Sequence, residues 1–200
     1  MENQNHAFNY AYLLKQVKAR VLLAQKKAIY TANEEMLSMY WDIGKLLSES
    51  QKQIGWGNNA LEKLANDLKN DYPEMKGFSV RNCQFMIQFY NEYNQQLTNT
   101  KRAVSYLNNN EIVLPVSKLG WSHNITLMQR TKDIKARYWY MIQCLKNGWS
   151  RDFLIEAIKQ DYYHSHGALA SNFDTTLPEI QAKQVKETLK DPYIFDMLRS

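Results

Sequence analysis

The chain has 200 residues, 25 Lys plus Arg against 20 Asp plus Glu, and a formal charge of +5. Gly and Pro are scarce and hydrophobics ordinary, so it can bury a core as one domain or two small ones, which excludes a disordered tail. No apolar run reaches membrane-spanning length, no Lys/Arg run marks a basic tail, and the opening "MENQNHAFNY" lacks the regions of a signal peptide.

Residues 8–51 are helical in pattern. Tyr10, Leu14, Val17, Val21, Ala24 and Ala28 recur at three and four, and Ala32, Met36, Tyr40, Ile43 and Leu47 continue the stripe almost in phase. "TANE", Thr31 to Glu34, also fits a capping box, so the alternative to one long helix is a break near Thr31. The single helix is favoured. Forty-odd residues span roughly 60 Å at about 1.5 Å each, more than a small globule's diameter. Such a helix either packs along its own domain or meets a partner, and the second case predicts a homodimer through it.

In "GWGNNALEKLANDLKNDYPEMKGFSVRNCQFMIQFYNEY", Asn58 or Asn59 caps a helix whose Leu61, Leu64, Ala65 and Leu68 share a face. Pro73 and Gly77 end it, and Ser79 caps a second helix running to about Tyr93. That is helix–turn–helix spacing with a stretched turn. On the second helix Ser79, Cys83, Met86, Tyr90 and Tyr93 fall on one side. Arg81, Gln84, Gln88 and Glu92 fall on the other, with Phe85 and Asn91 at its margins. A recognition helix needs this division, one face for the fold and one of long donors that reach base edges. An ordinary amphipathic surface helix has it too.

Residues 95–120 break the helical pattern. "NNN" signals a loop, and "EIVLPV" is too short and too Pro-interrupted for a central strand, so a short β wing around 104–116 and a plain loop are both open. From Trp121 the pattern returns. Ser122 is expected to cap a short helix through Ile125 and Met128. A longer helix over 132–148 turns Ile134, Tyr138, Met141, Ile142 and Leu145 inward. Ser150 opens a third, with Phe153, Leu154, Ala157 and Ile158 inward. The expected fold class is mainly α, a helix–turn–helix-like bundle with a long N-terminal helix. The expected division is a long helical segment over 1–51, the helix–turn–helix-like module over 52–118, and a second helical module with a C-terminal linker over 119–200.

One motif recurs. "IGWGNNALEKLANDL", "LGWSHNITLMQR" and "NGWSRDFLIEAIKQ" each place Gly-Trp before a capped helix. Gly148 can take the left-handed conformation that ends a helix, Ser150 can cap the next, and Asp152 suits its dipole. Trp56, Trp121 and Trp149 read as core anchors at helix corners, each contributing a few kcal/mol of apolar burial.

Catalytic chemistry is poorly represented. Cys83 and Cys144 have no CxxC spacing and read as reduced core thiols of a cytoplasmic protein. A PD-(D/E)XK site needs an Asp and a Glu/Asp-x-Lys on adjacent strands; the one suggestive match, Glu74-Met75-Lys76, lies in a turn between helices. "HSH", His164 to His166, lacks a third ligand nearby, and His6 and His123 lie off zinc spacing. The expectation is no catalysis, no metal and no cofactor in this chain. "DYYHSHGALASNF" is aromatic with polar neighbours and could pack on nucleic acid or on another domain.

At "YWDIGKLL", "GWGNNALEKLANDLKNDYPEMKGFSVRNCQFM", "GWSHNITLM", "RYWYMIQCLKNGWSRDFL", "SNFDTTLP" and "LKDPYIFDML" the chain resembles the N-terminal domain of the YhcG-type family, bacterial proteins of PD-(D/E)XK nuclease type. The resemblance runs from about Tyr40 to the last residues. It implies an α-helical, helix–turn–helix-like module that touches DNA, with a nuclease domain following the segment matched by "DPYIFDML"; this chain stops at Ser200. It departs from the family at Gln84, Ile87 and Gln88, where basic residues are usual, and at Gly120, where Pro is frequent. On the DNA-binding reading the contact set is Ser79, Arg81, Gln84, Gln88, Arg102, Lys118, Arg130 and Arg151. Asn82 is structural, and Arg102 and Lys118 flank the wing and meet phosphate. The alternative is a protein-interaction or dimerisation module without direct DNA contact. The two readings are compatible, because a dimer presents two reading helices to two half-sites of double-stranded DNA.

Overall fold

The computed structural model describes residues 10–54, 58–99 and 115–167. Helix α1, Tyr10–Ile54, is unbroken. The capping-box pattern at Thr31 does not interrupt it: Glu34, the acid of that box, pairs with Lys118, and Asn33 Nδ2 donates to the carbonyls of Ser117 and Leu119, both at 3.1 Å. Helix α2, Asn58–Asp71, ends before Pro73, and a 3-10 turn, Lys76–Phe78, leads into α3, Val80–Asn99. After the 3-10 turn Pro115–Lys118 come α4, Trp121–Arg130, α5, Ile134–Asn147, and α6, Arg151–Lys159. A π-helical turn, Tyr163–Gly167, follows. Among the described residues there is no strand. The wing expected over 104–116 lies outside them except for Pro115 and Val116, which belong to the 3-10 turn.

The caps show how local sequence sets these boundaries. Ser79 Oγ accepts from Asn82 N at 3.2 Å and Ser150 Oγ from Phe153 N at 3.2 Å, each satisfying a donor that the first helical turn leaves unpaired. Asp133 caps α5 in the same way, accepting from Lys135 N and Ala136 N. Gly148 ends α5 with φ 62°, the left-handed conformation that costs glycine nothing. Ser122 does not cap α4. The helix starts two residues earlier, with Gly120 as its N-cap, and Trp121, its first residue, is buried in the core.

One core cluster draws on all of α1, α3, α4, α5 and α6, with Met36, Tyr40, Met86, Phe89, Tyr93, Trp121, Leu127, Met141, Cys144 and Leu154 in it. A smaller one joins Leu47, Leu61 and Cys83. α1 and α3 lie very close: a Cβ built on Gly44 would stand 2.1 Å from the Met86 carbonyl oxygen. α3 buries Asn82 and Phe89 beside Cys83, Met86 and Tyr93, while Tyr90 stays half-buried. On α6 Leu154 and Ala157 are buried, but Phe153 is 44% exposed against the expectation, because it stacks on Trp149 and Tyr162 at the surface.

Buried amides fasten the segment before α4. Asn124 Nδ2 reaches the Val116 and Gly120 carbonyls at 3.0 and 3.2 Å, opposite the Asn33 bonds from α1. Lys118 adds an ion pair to Glu34 of α1. Only the second part of α1 is used in this way. From Tyr10 to Gln25 every residue of the helix is exposed.

Candidate nucleic-acid interface

Two polar bonds align the first turns of three helices. Asn82, buried at the start of α3, accepts from Trp121 Nε1 at 2.7 Å and donates to the Gly77 carbonyl at 2.6 Å. His123, buried in the first turn of α4, bonds through Nε2 to the Trp149 carbonyl at 3.0 Å, just before α6. The starts of α3, α4 and α6 therefore meet at one end of the bundle, in that order. Arg81 stands next to Asn82, and Arg151 follows Ser150 as the first residue of α6. Both are exposed, as are Ser79 and Gln84. Arg81 lies over the Phe85 ring, 5.5 Å from its centroid, which steadies the guanidinium without consuming its donors.

The rest of the expected set divides. Gln88 is half-buried and donates to Glu92 Oε1 at 2.5 Å. Glu92 in turn accepts from Arg137 of α5 at 2.5 Å, so the donor face of α3 closes against α5 toward its C-terminal end. Lys118 is held by Glu34. Arg130 is exposed in the last turn of α4, at the end away from Trp121. Arg102, like Trp56 and His6, lies outside the described residues.

Arg137 is the buried cation at this site. Its side chain donates to the Thr131 carbonyl from Nε and from Nη2, at 3.1 and 2.7 Å, and lies 5.4 Å from the Tyr93 ring centroid. Burial works against its charge, but Tyr93 and Glu92 outweigh that and hold its pKa above the usual value. Burial raises the Tyr93 phenol too, with Arg137 opposing. Tyr93 lies on the packing side of its helix as its spacing predicts, but Arg137 did not stand out in the sequence. An Arg one residue off an apolar stripe looks solvated, and only the fold supplies its Glu.

A second surface forms where α5, α6 and the π-helical turn meet. Trp139, Trp149, Phe153, Tyr162 and Tyr163 pack edge-on in a continuous aromatic run that reaches His166. Asp161, at φ 52°, places its carboxylate 2.7 Å from His164 Nδ1. The aromatic string before His164 was the sequence signal for this patch. Glu74 and Lys76 lie in the exposed turn between α2 and α3. Among the described residues no three His, Cys, Asp or Glu gather closely enough to hold a metal ion, and no helix is long and apolar enough to cross a membrane.

Compared with known families, the chain matches the DUF1016 N-terminal domain over residues 16–165. No curated protein matches it, and no solved structure does.

Proposed function

Because the chain belongs to the DUF1016 N-terminal domain family, the N-terminal domain of YhcG-type proteins, we propose that it is a non-catalytic module that positions a nuclease on double-stranded DNA. The observation that carries this reading is the exposure of Arg81, Gln84 and Arg151 at the end where α3, α4 and α6 begin. Helix N-termini turn unpaired N–H groups and the positive ends of their dipoles outward, which favours phosphate. Arg81 and Gln84 have the donors that read guanine and adenine edges, and Arg151 suits phosphate. Gln88 and Lys118 leave the proposed set, because Glu92 and Glu34 hold them.

Fluorescence anisotropy on labelled duplex tests this. Arg81→Ala should weaken a preferred site more than random duplex. Arg151→Ala should weaken both alike and lower the log–log salt slope by roughly 0.9. Lys118→Ala should change little. A parent chain that binds no duplex even at low salt would sink the reading. Mg²⁺-dependent plasmid cleavage lost on Glu74→Ala would sink its non-catalytic part.

A second reading, association through α1, is favoured by a separate observation. Tyr10, Val17, Val21 and Leu23 are each at least 50% exposed on a stretch of α1, Tyr10 to Gln25, where every residue is exposed. The two readings can hold together.

A further inference from the structure

The exposed stripe of α1 does not end where the core begins. Tyr10, Leu14, Val17, Val21, Ala24 and Ala28 alternate at four and three, the spacing of a coiled-coil seam. Followed at 3.6 residues per turn, that face passes Ala32 and arrives at Met39, Ile43, Leu46 and Ser50. The core-facing residues Met36, Tyr40 and Gly44 lie well round the helix from it. Met39, Ile43 and Leu46 are one wall of an apolar groove of about 530 Å³, and Leu64, Leu68 and Tyr72 of the α2 side are the other. One face of α1 is therefore an uncovered apolar ridge in its first half and an open apolar groove in its second.

Charge is divided the same way. From Tyr10 to Asn33 the helix carries Lys15, Lys18, Arg20, Lys26 and Lys27 and no acid. Farther along, Glu35, Asp42 and Glu49 stand seven apart and exposed and, with Glu34, outnumber Lys45 and Lys52 in that half; Asp67 and Asp71 are exposed on α2, which supplies the groove's other wall. Arg20 and Lys27, also seven apart and exposed, flank the ridge on the same side as Asp42 and Glu49.

We propose that α1 pairs antiparallel with α1 of a second copy, each copy laying its basic ridge into the other's groove. The register follows from the side chains. Val17 meets Ser50, Val21 meets Leu46, Ala24 meets Ile43 and Ala28 meets Met39, so in the last three pairs the smaller residue of the ridge faces the larger residue of the groove. In an antiparallel pair the same flank of both helices comes together. Arg20 and Lys27 of one copy then approach Glu49 and Asp42 of the other, twice over by symmetry. A parallel pair would set bases against bases along the ridge and leave both grooves empty. The paired length from Val17 to Ser50 is roughly 50 Å, enough for the roughly 1,200 Å² that a stable interface buries. This geometry rests on the association reading above and specifies its partner and direction.

Two measurements test it on the whole chain. In sedimentation equilibrium the parent should be a dimer, and Arg20→Glu with Lys27→Glu should weaken it by about tenfold or more, since attractive exposed pairs become repulsive. Adding Asp42→Lys and Glu49→Lys to that variant should restore the dimer. All four positions are exposed, so helical circular dichroism should be unchanged. In the second measurement, Val21→Cys with Leu46→Cys should form a disulfide-linked dimer under mild oxidation, and each single variant should not, because like positions lie roughly 37 Å apart. Cys83 and Cys144 are buried and leave the background clear. A parent that stays monomeric at high concentration overturns both the association reading and this geometry. A parent dimer that cross-links through Val21→Cys alone, or is not restored by the four-charge swap, overturns only the antiparallel geometry.

Discussion

Replacing Asn82 by alanine should cost far more than one amide's packing. The side chain is 2% exposed and holds two groups at once, the Trp121 indole N–H at 2.7 Å and the Gly77 carbonyl at 2.6 Å. Trp121 is fully buried, so its N–H has no water to turn to once Asn82 is gone. An orphaned buried donor or acceptor costs about 1–3 kcal/mol, so losing both partners should cost about 2–6 kcal/mol. That is a large share of the 5–15 kcal/mol typical of a domain. Urea denaturation followed by far-ultraviolet circular dichroism measures it as a lower midpoint at unchanged slope. The double variant with Trp121→Phe isolates the bond, because phenylalanine removes the stranded donor. Asn82→Ala plus Trp121→Phe should then be more stable than the sum of the single costs by about 1 kcal/mol or more. If Asn82→Ala loses under about 1 kcal/mol, or the cycle is additive, Asn82 does not pin α3 to α4, and the common end that positions Arg81 and Arg151 loses its support.

Gly44→Ala should cost more than about 3 kcal/mol or force α1 off α3, because its Cβ would stand 2.1 Å from a backbone oxygen that cannot swing away; thermal melting reads the loss. Glu92→Gln should cost about 3–5 kcal/mol by leaving the buried Arg137 cation without its counter-charge, whereas Arg137→Met, which removes that cation and leaves the partly exposed Glu92 its bond from Gln88, should cost less, and denaturant titrations of the two should differ accordingly. Burial holds the Tyr30 phenol up to about 12 and raises the Tyr93 phenol and the Cys144 thiol as well. These groups ionise earlier in the unfolded chain, near 8.5 for the thiol and 10 for the phenols. Stability should therefore be intact below about pH 8.5 and fall as pH rises through 10 toward the folded values, with Cys144 inert to thiol reagents until unfolding. A melting temperature flat from pH 8 to 11 would contradict that assignment.

Helices and most of their ends were legible in the sequence, because they depend on neighbours a few residues apart. Ser79, Ser150 and Gly148 act where their side chains or backbone freedom predict, and the apolar period of α1 carries through Thr31 as one helix. Family membership was legible for the same reason, since long ordered motifs survive in one dimension. Burial of polar groups was not. Asn33, Asn124 and Arg137 look like surface residues until the fold brings the Ser117 and Leu119 carbonyls to Asn33, turns the Val116 carbonyl onto Asn124 and sets Glu92 against Arg137. Arg81 and Gln84 are exposed where their spacing on α3 predicts, but Gln88 is half-buried and held by Glu92, against which α5 brings Arg137 from outside the helix. Phe153 reads as core by spacing and sits at the surface because Trp149 and Tyr162 meet it there. Periodicity sets which residues of a helix share a face. Only the packing of one helix on another decides which face is covered, and on α1 that left the apolar seam of Val17, Val21 and Leu46 open.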